Sequence, residues 1–258
     1  MKIVDQLKQS LTFNQTPRRI ISLVPSQTEL LVDLGLEAEI IGVTKFCVHP
    51  AHLRKDKTIV GGTKKVNFQK IKALLPDVII CNKEENTKEM VTELQKIAPV
   101  WISDIVSIED SLDMISKLGC LFDKENKATS LIEGVVIERD SFLEFIKNKK
   151  PQKVAYLIWK NPYMIAGQNT FIDELLKLNK LENISLDLNS RYPEVSELEL
   201  KKAAIILLST EPFPFKEKDV EQLENVLDKK VILVDGEYFS WYGSRLKYAF
   251  NYFKSLPI

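Results

Sequence analysis

What this 258-residue chain lacks narrows its character before any motif is considered. Its 36 basic and 36 acidic residues leave no formal net charge, which argues against nucleic acid or an anionic membrane as the main partner. Three cysteines, Cys47, Cys81 and Cys120, are odd in number and widely spaced, so they form neither a disulfide framework nor a zinc ribbon. Cys81 and Cys120 sit in apolar runs and read as core residues. No run approaches the ~20 apolar residues of a membrane span. The opening MKIVDQLKQSLTFNQTPRR holds no apolar stretch of signal-peptide length and no lipid-attachment cysteine, so the expected location is cytoplasmic. An upstream export signal would change that to periplasmic or cell-surface. Enzyme signatures are missing as well: there is no phosphate loop, nucleophile elbow, GxGxxG or HExxH.

What is present is a doubling. VNFQKIKALLPDVIICNKE (66–84) parallels VSELELKKAAIILLSTE (195–211), and TKEMVTELQKIAPVWISD (87–104) parallels KEKDVEQLENVLDKKVILVD (216–235). Each pair runs from an amphipathic helix into a β-rich apolar run, so Asp104 and Asp235 close equivalent strands. An offset of roughly 130 residues, half the chain, suits two similar lobes rather than a solenoid. Between the doubled units, residues 107–149 carry apolar residues at helical spacing with almost no breakers. The second part, 124–149, would form a helix ~39 Å long, suited to a rigid strut between lobes. The expected fold class is α/β, with two Rossmann-like lobes joined by one long backbone helix. The lobes are expected at 1–123 and 151–258, with the connecting helix at 124–150.

Within the first lobe, IISLV reads as a strand followed by a helix. Ser26 and Glu29 have the spacing of a capping box, so the Ser26 hydroxyl is expected to cap that helix. IIGVT then completes a β-α-β unit, and Gly61-Gly62 mark a turn. The second lobe opens with VAYLIW and a helix TFIDELLKL for which Thr170 is the candidate N-cap.

In open α/β sheets the ligand crevice lies beyond the carboxyl ends of the strands. In the second lobe the residues there include Trp159, Tyr163, Phe213, Phe215, Tyr238, Phe239 and Trp241, unusually aromatic for loops. They suggest a surface that grips a flat or bulky apolar ligand, or rings that pack the loops onto the lobe. In the first lobe, Cys47-x-His49-x2-His52 gathers both histidines and a thiol. His49 or Cys47 could ligate a metal, yet no fourth ligand completes the set; pocket lining suits His49 and the surface suits His52.

RRIISLVPSQTELLVDLGLEAEIIGVT, then VGGT and KIKALLPDVII, with NPYMIAG and SRYPEVS in the second lobe, form an ordered set running from about Pro17 to the C-terminus. It resembles the class III substrate-binding proteins of ABC importers for vitamin B12, haem and ferric siderophores, the helical-backbone metal receptors. The cobalamin-binding branch is nearest. The resemblance implies the class III periplasmic-binding-protein fold and reversible capture of a metal chelate between the lobes, without catalysis or an intrinsic cofactor. It places Phe46 where cobalamin binders carry an aromatic after the second strand, and Trp241 in a loop where they present another. Thr63 and Tyr192-Pro193 stand near the positions of two further tryptophans. The family's permease-docking glutamates fall at Gln69 and Leu198, the latter flanked by Glu197 and Glu199. Lys45, Lys64, Lys65 and Arg191 would suit an anionic chelate or the fringe of a corrinoid, or form a solvated rim.

The expected function is therefore non-catalytic binding of a metal chelate, a corrinoid before a ferric siderophore or haem, as the binding component of an ABC-type importer. The expected ligand-binding residues are Phe46, His49, Lys64, Trp159, Tyr163, Arg191, Tyr192, Phe213, Phe239 and Trp241, on a monomer. The alternatives are a cytoplasmic enzyme or chaperone on the same scaffold that acts on a corrinoid or metal without a transporter, and a regulatory binding module.

Overall fold

The computed structural model describes residues 1–184 and 190–258. The chain divides into two compact units. The first comprises Met1–Ile105, Glu109–Val135 and Tyr242–Arg245; the second comprises Val106–Ile108, Val136–Trp241 and Leu246–Ile258.

The first unit begins with a hairpin of β1 (Lys2–Val4) and β2 (Ser10–Thr12), antiparallel to each other. Its main sheet uses β3 (Ile20–Ser22), β4 (Ile40–Thr44), β5 (Thr58–Gly61), β6 (Val78–Asn82) and β7 (Val100–Ser103), in the order β5-β4-β3-β6-β7 and parallel throughout. The crossovers that parallel pairing requires carry α1 (Pro25–Asp33), α2 (Leu53–Asp56), α3 (Phe68–Ala73) and α4 (Lys88–Leu94). Each residue of β6 is buried, as expected of a parallel strand covered on both faces. Ile21, Leu23, Ile79, Cys81, Val100 and Ile102 pack with Ile71, Met90 and Leu94 of the helices. Helix α5 (Ile108–Leu121) follows β7.

Helix α6 (Glu125–Ile146) is 22 residues long, about 33 Å at 1.5 Å per residue. Its residues to Val135 group with the first unit and the rest with the second. The buried positions Ala128, Val135, Phe142 and Ile146 form a narrow stripe; the rest of the helix mixes charged residues with exposed apolar ones, Ile137, Leu143 and Phe145.

The second unit contains β8 (Gln152–Trp159), β9 (Met164–Ile165), α7 (Phe171–Leu178), β10 (Leu181–Asn183), α8 (Glu197–Leu200), β11 (Ile205–Ser209), α9 (Glu217–Leu227), β12 (Lys230–Val234), α10 (Glu237–Ser240) and α11 (Leu246–Ser255). Its sheet runs β10-β8-β11-β12, all parallel, with β9 antiparallel to β8. The doubling is visible in this order: β6 and β7 follow β3 as β11 and β12 follow β8. Leu157, Ile206 and Leu208 pack with Leu200, Leu223 and Leu227 from the helices over them.

Local expectations fared differently. Thr170 caps α7, its hydroxyl accepting from Asp173 N at 3.1 Å. The Ser26 capping box does not form: α1 starts at Pro25 with Val24 as N-cap and no side-chain cap. Pro25 already supplies the fixed φ and missing N–H favoured at a first helical position, which moves Ser26 into the first turn and turns Glu29 to another partner. Cys81 is buried as expected, but Cys120 is exposed. It lies on the face of α5 opposite the one that carries Met114, Ile115, Leu118 and Leu121 into the core.

Candidate ligand-binding site

The carboxyl-end loops of the first unit rest on a buried polar network. Asn82, the last residue of β6, donates from Nδ2 to Ser103 Oγ at 2.9 Å, and its Oδ1 accepts from the backbone of Glu84 and Glu85 at 2.8 and 3.1 Å. Asn86 donates to Thr63 O at 2.8 Å and accepts from Asn82 N at 2.8 Å, fastening the loop after β5 to the loop after β6. Gln27 donates to Ser103 Oγ and, at 3.3 Å, to the Tyr242 hydroxyl. Burial pushes the Tyr242 phenol far above its usual range. The Glu85 carboxyl is likewise raised by burial, with Lys64 pulling it down in part. Sequence reasoning missed this network because the conformational demand of each amide is set by a loop distant in sequence.

Phe46, in the loop after β4, is 49% exposed. Lys45 Nζ lies 4.9 Å from its ring centroid. Gly62 sits against the ring so closely that a Cβ there would be 3.2 Å from Phe46 Cε2. The ring is thus held while one side faces water. Lys64, exposed, donates its ammonium to Glu84 O, so it is tied to the neighbouring loop. His49 is half-buried and near enough to Glu29 to help lower that carboxyl, which burial raises and the Arg245 guanidinium opposes. His52 is on the surface, 2.7 Å from Glu37. Cys47 is fully buried, its sulfur 3.1 Å from Thr28 Oγ1 and 3.3 Å from Thr44 Oγ1, and burial raises its thiol pKa. Among the described residues, no three His, Cys, Asp or Glu side chains gather to hold a metal ion.

In the second unit, Trp159 ends β8 with 42% of its surface exposed. Phe213 meets it edge-on at 5.7 Å and in turn meets Phe215 at 4.7 Å. Phe213 N donates to Ile158 O at 3.3 Å, which seats the loop after β11 on the end of β8. Tyr163 is half-buried, and burial raises its phenol. Arg191 and Tyr192 are also half-buried; Arg191 O accepts from Gly167 N at 2.7 Å.

Two expected contact residues face inward instead. Phe239 is wholly buried, 5.1 Å from the Tyr156 ring and 4.7 Å from the Phe253 ring. It has no free face for a ligand. Trp241 is 7% exposed, and its indole N–H donates to Glu211 Oε1 at 3.0 Å, beside the Ser240 hydroxyl bond to the same oxygen. The short helix α10 and the residue after it place both rings inward, a local geometry that the run of six polar and aromatic residues 237–242 did not disclose. A cavity of about 500 Å³ lies beside edge strand β10, lined by Lys153, Glu182, Pro193, Glu199 and Lys202 among others. None of the expected contact residues lines it.

Residues 20–226 match the periplasmic binding protein family. The chain belongs to that family. As a member it is a substrate-binding protein, not an enzyme. It is 24% identical over 258 residues to the uncharacterized ABC transporter substrate-binding lipoprotein YvrC of Bacillus subtilis strain 168, covering 95% of this chain and 81% of that one. It is 25% identical over 180 residues to the vitamin B12-binding protein of Salmonella choleraesuis strain SC-B67, covering 69% of this chain and 66% of that one. A solved structure of a possible iron-binding, periplasmic solute-binding protein from Staphylococcus epidermidis ATCC 12228 superposes with TM-score 0.77 at 24% identity, over 92% of this chain and 96% of that chain. That likeness shows the shared class III fold.

Proposed function

We propose that this family member captures a metal chelate, a corrinoid such as vitamin B12 ahead of haem or a ferric siderophore, and serves as the binding component of an ABC-type importer. The observation that carries the reading is the pair of exposed, anchored rings at strand ends, Phe46 in the first unit and Trp159 in the second. Large rings left in water at ligand-facing loops favour a partner with broad apolar surface. The similarity to a vitamin B12-binding protein supports the corrinoid choice.

Equilibrium dialysis and thermal melts with cyanocobalamin, hemin and a ferric siderophore test it. Cyanocobalamin should be retained and should raise the melting temperature, since a ligand at 100 times its Kd stabilises by ~2.7 kcal/mol. Failure of all three chelates to bind would sink the reading.

A second reading, corrinoid handling without a transporter, is favoured by one feature. Gln69 and Leu198 hold the positions of the docking acids, and Leu198 is 76% exposed. Of the two acids beside it, Glu199 is engaged by Ser196 in a capping box, which lowers its carboxyl pKa, whereas Glu197 is exposed. Cells lacking the protein should lose uptake of labelled cyanocobalamin; undiminished uptake would favour the second reading.

A further inference from the structure

Directly after β8, β11 and β12 the second unit carries one cation against several acids, while Arg191 stands farther along, in the loop after β10. The residues that follow β8, β11 and β12 directly, 160–163, 210–213 and 235–238, contain Lys160 and also Glu211, Asp235 and Glu237. Lys160 adjoins the exposed Trp159, where an ammonium would attract an anionic ligand to the ring. Its side chain is folded the other way. Nζ lies 2.7 Å from Asp219 Oδ1 and 3.0 Å from Gln222 Oε1 on α9, with the Lys160 side chain 17% and the Asp219 side chain 7% exposed. Asp219 is itself fixed, because its other oxygen accepts from Lys216 N at 3.0 Å at the start of α9.

A charge pair this desolvated has little field left for a third group. The Trp159 and Phe213 rings, set edge-on to each other, carry no formal charge to attract a carboxylate. We propose that the Lys160–Asp219 pair is a charge-selectivity determinant of the ligand face. By withdrawing the ammonium that adjoins Trp159 in the chain, it makes the Trp159–Phe213 face favour a chelate of no net charge over one fringed with carboxylates. The inference rests on the proposed binding function and adds the charge class of the ligand.

The test compares cyanocobalamin, which has no net charge, with hemin, whose propionates are anionic, by equilibrium dialysis on the full chain. Asp219→Asn keeps an oxygen for Lys216 N but releases the ammonium, and should shift the affinity ratio toward hemin by at least ~5-fold. The double variant Asp219→Asn with Lys160→Met should return the ratio to that of the wild type. Lys160→Met alone leaves the Asp219 carboxylate uncompensated and should shift the ratio away from hemin. This second variant keeps the test decisive if Asp219→Asn fails to fold. A ratio unmoved by Asp219→Asn in a folded protein, or a ratio unmoved or shifted toward hemin by Lys160→Met alone, overturns the proposal while leaving the binding function intact. A wild-type protein that binds none of the chelates overturns both.

Discussion

Replacing Arg245 with Met should destabilise the first unit far more than replacing it together with its partner Glu29. Arg245 Nε and Nη2 donate to the two Glu29 carboxylate oxygens at 2.9 and 2.7 Å. The side chains are only 10% and 18% exposed. At a charge separation near 4 Å and an effective dielectric of about 20, the attraction is about 4 kcal/mol. Yet the Glu29 carboxyl sits above its ordinary pKa, burial outweighing the guanidinium, so desolvation offsets much of that attraction. The intact pair therefore contributes little net stability, whereas either charge left alone is expensive.

Breaking a fully buried pair costs about 3–5 kcal/mol; with this residual exposure, about 2–3 kcal/mol is expected for Arg245→Met or Glu29→Gln alone. The double variant should lose about 1 kcal/mol or less, giving a coupling near 2 kcal/mol by double-mutant cycle. Urea denaturation followed by circular dichroism measures the cycle, and single-variant melts should fall by roughly 5–10 °C. Two small, additive losses below about 0.5 kcal/mol would refute the argument, because that is how a solvated surface pair behaves.

Three further outcomes follow from other parts of the chain. Asp5 is 1% exposed, its Oδ2 is buried without a hydrogen-bond partner, and burial raises its pKa against the pull of nearby backbone N–H groups. Its contribution to stability is thus present below the ordinary 3.8 and lost as pH rises through the folded value; Asp5→Asn should raise the melting temperature at neutral pH, with the gain shrinking in acid. A gain that does not change with pH would contradict this. Native protein should expose one rapidly reacting thiol to a disulfide reagent, Cys120, and Cys120→Ser should abolish it, since Cys47 and Cys81 are buried with raised pKa values. Gly61→Ala should cost on the order of 1–3 kcal/mol in a denaturation experiment, because φ is +141° and the new Cβ would meet Lys65 O at 2.5 Å; an unchanged midpoint would show that the turn can relax.

Much of the fold was legible along the chain because it is written in local periodicity. Apolar runs at 78–82 and 205–209 are strands buried on both faces, and the breaker-poor stretch before Pro151 is one helix, Glu125–Ile146. The doubling also survives in three dimensions, as equivalent positions in two parallel sheets. Short-range signals misled where a competing local rule prevailed. Pro25 overrode the Ser26 cap, and the helical phase of α5 put Cys120 outside while its apolar neighbours went in.

The candidate site was legible only as a list of strand-end residues. Which of them face water depended on partners far away in sequence. Trp159 stays exposed because Phe213, 54 positions on, supports it edge-on, while Trp241 is drawn inward by Glu211 and Phe239 by Tyr156 and Phe253. Lys160, next to the exposed Trp159 in sequence, is held by Asp219, 59 positions on. By itself the sequence determined the α/β class, the repeated units and the long helix, since each follows from the spacing of apolar residues within a few turns or strand lengths. Only the tertiary structure decided which rings are offered and which charges are cancelled, because exposure and electrostatic pairing are set by contacts between segments that no local pattern records.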